Sequence, residues 1–260
     1  MVDLDLATVA AANDAWVLTP EGSEVVETAE YRLVRFPDRF ADPLQVQWIR
    51  STRPAEAVLT DVVARAAQFG LPAAGVYVRL SAPAGLDEAL LARGGQLVDT
   101  ADVLAVALPA AVEAPDVPGL DVRWLTAPEV ARDANAIGVA VFGGSLASDE
   151  ELARRAAAGR DTVAAGTGGA TVAYLDGTPV AVAGVEIADG VARLWGGAVR
   201  EAYRGRGVYR ALVAARLTYA AERGATMALA QGRITTSSPI LKRLGFVSYG
   251  QERTYRLPLP

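Results

Sequence analysis

Residues 199–212 read Val199-Arg200-Glu201-Ala202-Tyr203-Arg204-Gly205-Arg206-Gly207-Val208-Tyr209-Arg210-Ala211-Leu212. The stretch follows an alternating, strand-like segment over 191–199. It opens an Ala-rich segment of helical spacing over 208–223, after which Gly224 takes the position of a helix C-cap. A strand therefore runs through a short loop into a long helix. Two glycines let the loop backbone approach an anion closely, the first N–H groups of the helix point out of its end, and Arg204, Arg206 and Arg210 add positive charge. These are the parts of a pyrophosphate cradle; a solvated basic turn ahead of a helix is the alternative use of the same residues. It is neither a dinucleotide fingerprint, whose third glycine would fall on Arg210, nor a P-loop, which needs G-K-[ST].

Working outward, 169–175, 179–187 and 191–199 read as strands separated by Asp176-Gly177 and Asp189-Gly190, both strong hairpin signals, so an antiparallel meander precedes the loop. Before it, 121–125 reads as a strand, 128–141 as a helix capped from Thr126, and 149–158 as a helix capped by Ser148. After the long helix come a strand at 226–230, a short helix at 239–244 and a strand at 246–257. The segment 109–119 holds three prolines and a glycine and reads as a linker. Ahead of it, 31–36 is strand-like, 54–69 helical, 75–80 strand-like, 86–93 a short helix and 96–108 a long strand. Both halves end helix, glycine, strand, short helix, glycine, strand, Leu-Pro, which fits an internal duplication; a coincidence of element order in an Ala-rich composition is the alternative.

This order of elements, with the loop 199–207 and the late Leu244-Gly245-Phe246, resembles the GNAT superfamily of N-acyltransferases. The resemblance covers one complete unit over 116–260. It implies an α/β (α+β) fold of two GNAT-like units, each a mixed, mostly antiparallel sheet flanked by helices, with 1–115 as a degenerate copy lacking the loop. It further implies acetyl-CoA as co-substrate and no metal. Gly205, Arg206, Gly207, Val208, Tyr209 and Arg210 would wrap the pyrophosphate, Arg204 would open the motif, and Gly197, Ala198 and Val199 would run along the pantetheine arm. Gly196-Gly197 within a strand independently suggests a bulge or close backbone approach, or room for Trp195.

Departures are informative. Tyr209 stands where the motif has Gly or Ala, Ile234 where the family has Asn, and Leu241 where it often has a general-acid Tyr. Candidates for the missing acid are Tyr249, Tyr255 and the hydroxyls of Thr235, Thr236, Ser237 and Ser238. Ser238 also reads as a helix N-cap ahead of Pro239, and its place near the cofactor follows from the resemblance. Glu186 is a candidate base, but a two-residue turn at Asp189-Gly190 sets it opposite Arg193, which favours an ion pair. Asp149, Glu150 and Glu151 lie in the region that lines the acceptor site in GNAT folds, and equally suit the start of a helix.

The 260 residues include no His and no Cys, which excludes imidazole and thiolate chemistry, disulfides and an ordinary zinc site. General bases are then carboxylates, Tyr, a terminus or water. With 52% hydrophobic residues the chain can bury a sizeable core, while uncharged runs stay below the roughly 18 residues a spanning helix needs. Early acids in place of a basic signal segment suggest a cytoplasmic protein with no membrane partner. A net charge of −5 argues against nucleic acid. The expected activity is transfer of an acetyl or short acyl group to a small-molecule or peptide amine, directly and without an acyl-enzyme. The alternative is a non-catalytic acyl-CoA or ligand-binding module. The N-terminal half could shape the acceptor pocket, dock on the other half or form a homodimer.

Overall fold

A computed structural model describes residues 4–38, 40, 42–110, 112 and 114–260; Met1, Val2 and Asp3 of the acidic start, and Ala111 and Glu113 of the linker, lie outside the described residues. In chain order the elements are α1 (Leu6–Asp14), β1 (Glu24–Glu27), β2 (Tyr31–Arg35), β3 (Leu44–Ile49), α2 (Ala55–Ala67), β4 (Ala73–Val78), α3 (Leu86–Ala92) and β5 (Gln96–Ala107). Then follow β6 (Leu120–Trp124), α4 (Pro128–Phe142), α5 (Asp149–Ala164), β7 (Gly168–Leu175), β8 (Thr178–Ala188) and β9 (Val191–Val199). A 3-10 turn (Glu201–Tyr203), α6 (Val208–Glu222), β10 (Met227–Arg233), α7 (Ser237–Arg243) and β11 (Val247–Pro258) complete the chain.

The chain divides into two compact units that are not the two halves expected from the linker. One holds Leu104–Gln231 and Ile240–Val247; the other holds Asp5–Val103, Gly232–Pro239 and Ser248–Pro260. A cut at 115/116 thus misses how the chain packs. The physical reason is in the last strand of each half. β11 pairs antiparallel with β4, from Arg253 opposite Val78 to Pro258 opposite Ala73, and puts Tyr255 and Leu257 into the N-terminal core. The end of β5 goes the other way: Leu104 and Leu108 pack with Val185, Leu194 and Val213, and the Leu108 N–H donates to the Thr226 carbonyl at 2.8 Å.

Each unit repeats one pattern. In the N-terminal unit β1, β2 and β3 form an antiparallel meander, α2 crosses over, and β4 lies parallel to β3. In the C-terminal unit β6, β7, β8 and β9 are antiparallel neighbours, α6 crosses over, and β10 lies parallel to β9. α2 shows the expected amphipathic spacing, burying Val58, Leu59, Val62 and Ala66. On the C-terminal sheet, α4 and α5 pack through Val130, Ile137 and Leu152 onto the face carrying Val172, Val182 and Ala198. α6 covers the opposite face, where Val213 and Leu217 meet Val185, Ala192 and Leu194. Among the described residues no helix is long and apolar enough to cross a membrane, and no three Asp or Glu side chains gather as a metal site.

Candidate active site

The meander turns follow from their sequences. Asp176 and Gly177 have φ of 50° and 79°, Asp189 and Gly190 of 51° and 73°, the left-handed pairs that a two-residue hairpin requires. The second turn sets Glu186 opposite Arg193, with a 3.6 Å ion pair between them.

Further along, β9 changes character. Val182 faces Ala198 and Gly184 faces Trp195, so Ala183 of β8 is opposed by two residues, Gly196 and Gly197. This is the bulge that the glycine pair suggested, and Gly196 carries the φ of +62° it needs. On its other side β9 pairs with β10 only from Val191 opposite Met227 to Leu194 opposite Ala230. Beyond that point the two parallel strands part, leaving the main chain of 195–199 without a ladder partner on this edge. The backbone groups along such an edge are open to another acceptor and donor.

The loop begins where the strand ends. Arg204 donates from Nε to the Val199 carbonyl at 3.3 Å, and Arg206 lies 5.2 Å over the Tyr203 ring. Gly205 and Gly207 have φ of +76° and +83°, so both use the freedom only glycine has at little cost. Gly207 starts α6 with no side-chain cap, and no acid stands in the first turn. The N–H groups of Val208, Tyr209 and Arg210 have no intrahelical acceptor. α5 shows the contrast: Ser148 accepts from the Glu151 N–H, and Asp149, Glu150 and Glu151 fill the first turn. One helix start is closed by its own side chains; the other is left open between arginines. Val208 turns its side chain into the core at 1% exposure, leaving its amide to the loop. The linker passes beside this helix start, since a Cβ on Gly207 would meet Val117 at 3.2 Å and Pro115 at 3.5 Å.

Tyr209 does not intrude on the loop. A Cβ on Gly197 would come within 2.9 Å of its ring, so the ring lies against the bulge. Its hydroxyl hydrogen-bonds Arg216, and burial pushes its pKa up. Arg216 is 2% exposed and has no carboxylate partner among the described residues; it donates to the carbonyls of Leu212 and Gly184, each at 3.0 Å. Burial lowers its pKa to about 10, which still leaves it charged at neutral pH. Tyr209, Arg216 and Gly184 thus tie α6 to β8 at the bulge. The sequence reading missed Arg216, although it stands seven residues after Tyr209, on the same side of an Ala- and Leu-rich helix.

Other expected residues have different uses. Ser238 is not an N-cap, because α7 already starts at Ser237; it is 1% exposed and donates its hydroxyl to Asp102 within the N-terminal unit, so it offers the cofactor no surface. Tyr255 donates to Asp87 at 2.8 Å in that same unit, and Tyr249 also belongs to it, half-buried. Leu241 is 2% exposed in the C-terminal core, so the position the family often gives to Tyr is filled by packing. Thr126 does not cap α4, which begins after Ala127. Asp149 pairs with Arg132 at 3.0 Å and Glu151 with Arg155 at 2.9 Å, which leaves both occupied on the surface.

Comparison with known proteins agrees with this arrangement. A GCN5-related N-acetyltransferase from Kribbella flavida shares 19% identity with a TM-score of 0.65, covering 98% of this chain and 95% of its own. A tandem GNAT protein from the clavulanic acid biosynthesis pathway shares 18% identity with a TM-score of 0.62, covering 96% of this chain and 87% of its own. One from Sphaerobacter thermophilus shares 19% identity with a TM-score of 0.64, covering 91% and 82%. At these identities the likeness is one of fold. No curated protein sequence matches the chain. The model of the acetyltransferase (GNAT) family matches residues 144–246, a span that contains the meander, the bulge, the Gly-Arg loop and α6.

Proposed function

We propose that the protein transfers an acetyl or other short acyl group from acyl-CoA to a primary amine, by direct attack within a ternary complex. The observation that carries this reading is the parting of β9 from β10 at a glycine bulge, in line with an uncapped helix start framed by Arg204, Arg206 and Arg210. In this reading the amides of Gly205, Arg206, Gly207, Val208, Tyr209 and Arg210 hold the pyrophosphate. The free edge of Gly197, Ala198 and Val199 pairs with the amide-rich pantetheine arm. The residues from 116 onward carry this loop, and the N-terminal copy has no counterpart of it.

Direct aminolysis needs little beyond positioning, which supplies about 7–11 kcal/mol of the barrier in well-oriented systems. With Glu186 paired to Arg193, the proton of the attacking amine passes to water. In the same reading the leaving thiolate takes its proton from water, since none of the candidate phenols lies within the unit that carries the loop.

A second reading, a module that binds acyl-CoA without turnover, is favoured by one observation, the buried Leu241. Calorimetric titration with acetyl-CoA, followed by a thiol-release assay over a panel of amines, separates the readings. Binding with thiol release supports transfer, binding without release on any amine supports the module, and no binding overturns both.

A further inference from the structure

Trp195 is an exposed tryptophan on an interior strand. It keeps 43% of its surface open and is followed by exposed Gly196 and Gly197. Its indole has a defined seat. A Cβ built on Gly184 would stand 2.2, 2.3 and 2.5 Å from the ring carbons Cε2, Cζ2 and Cδ2. A point that close to one ring carbon and both its bonded neighbours lies above the ring plane, so one face of the indole rests flat on the glycine. Any side chain at 184 would displace it. The other face looks outward.

The register fixes which side of the sheet this is. Val182 and Ala198 pack with α4 and α5, and Gly184, two residues from Val182, points the same way with its partner Trp195. The indole therefore lies on the α4–α5 face, beside the bulge, while the loop leads into α6 on the opposite face. Glu186 on the same face is set against Arg193, and α4 ends on the exposed Phe142, followed by the exposed Leu146. A flat ring would cover an indole face that now stands open to solvent.

Resting on the acyl-CoA reading, we infer that Trp195 seats the acceptor and that the acceptor is an amine carried on a flat aromatic skeleton. The test uses the full chain with 2-phenylethylamine and tryptamine against spermidine and a lysine peptide. Aromatic amines are expected to be the better acceptors. Trp195→Ala should raise their KM about tenfold, the scale of a lost aromatic pair with its buried area, with the acetyl-CoA KM unchanged; Trp195→Phe should restore most of the loss.

Calorimetric binding of 2-phenylethylamine to the CoA-loaded protein gives a readout independent of turnover, and should also weaken in Trp195→Ala. An unchanged amine affinity and KM in that variant, or equal use of spermidine, would overturn the aromatic seat while leaving the acyl-CoA reading intact. Failure of the unaltered protein to bind acetyl-CoA would instead remove the acyl-CoA reading, and the seat with it.

Discussion

At the scale of single residues, Tyr209 shows how a departure from a motif is absorbed. A bulky side chain at this point of a phosphate loop looks obstructive in sequence, yet the ring turns away into the space left by Gly197. Its hydroxyl becomes a partner of the buried Arg216. Tyr209→Phe removes one hydrogen bond to a charged group and should cost about 1.5–3 kcal/mol, read as a lower urea midpoint with an unchanged m-value. Gly205 offers a cleaner test of the cradle than Gly207, because a Cβ there meets nothing within 4 Å whereas Gly207 abuts Val117 and Pro115. Replacing Gly205 with Val disturbs the left-handed backbone and the approach of an anion. Acetyl-CoA affinity should fall at least tenfold in calorimetry, and unchanged affinity would remove the pyrophosphate assignment.

At the scale of elements, the contrast between α5 and α6 was legible in the sequence. Ser148 and three acids announce a helix that closes its own end; glycine and arginine announce one that does not. The hairpins were legible too, because Asp-Gly pairs tolerate the φ values that such turns impose. Gly190→Val should therefore destabilise the β8–β9 hairpin by about 1–2 kcal/mol, the cost of a left-handed backbone for a side chain with a Cβ, seen as a lower Tm. The α1, β1 and β3 elements were not picked out. β1 is four residues flanked by glutamates, and β3 is buried almost throughout, so neither shows the length and contrast that a half-buried strand gives. The Thr126 cap failed for a local reason: the chain runs one residue further in extended conformation, and Ala127 takes the N-cap position.

At the scale of the whole molecule, the exchange of β5 and β11 makes the two units depend on one another's sequence. A fragment ending at residue 115 lacks β11, and should populate an unfolded or aggregating state by circular dichroism and gel filtration. A folded, monomeric fragment would contradict the exchange. Asp87 on α3 holds β11 in the N-terminal unit by accepting from Arg253 through both oxygens, at 2.6 Å each, and from Tyr255. Burial alone would raise its pKa, but these bonds outweigh it and the net shift is downward. A carboxyl with a lowered folded pKa stabilises fully above its unfolded value near 3.9 and loses that contribution as pH falls through the folded value. Asp87→Asn should cost on the order of 2 kcal/mol at neutral pH and flatten the acid limb of a stability profile below about pH 4. Glu252 has the opposite sign. Its pKa is raised by burial, so its ionisation costs stability as pH rises through that raised value, and Glu252→Gln should raise Tm at neutral pH.

The sequence by itself determined what is local and periodic. It specified the Asp-Gly turns, the amphipathic helices, the glycine bulge and the open helix start, because each depends on residues within a few positions of one another. It also set the chemical repertoire through the absence of His and Cys. Tertiary structure decided which strand of each half completes which sheet, where the Tyr209 ring goes, that Ser238 is spent on Asp102, and that an exposed indole lies on Gly184. Those outcomes depend on pairings between residues up to about 185 positions apart, as between Pro258 and Ala73. No pattern within one segment specifies such a partner, because two apolar strands of equal length fit the same sheet edge until the surrounding side chains choose between them.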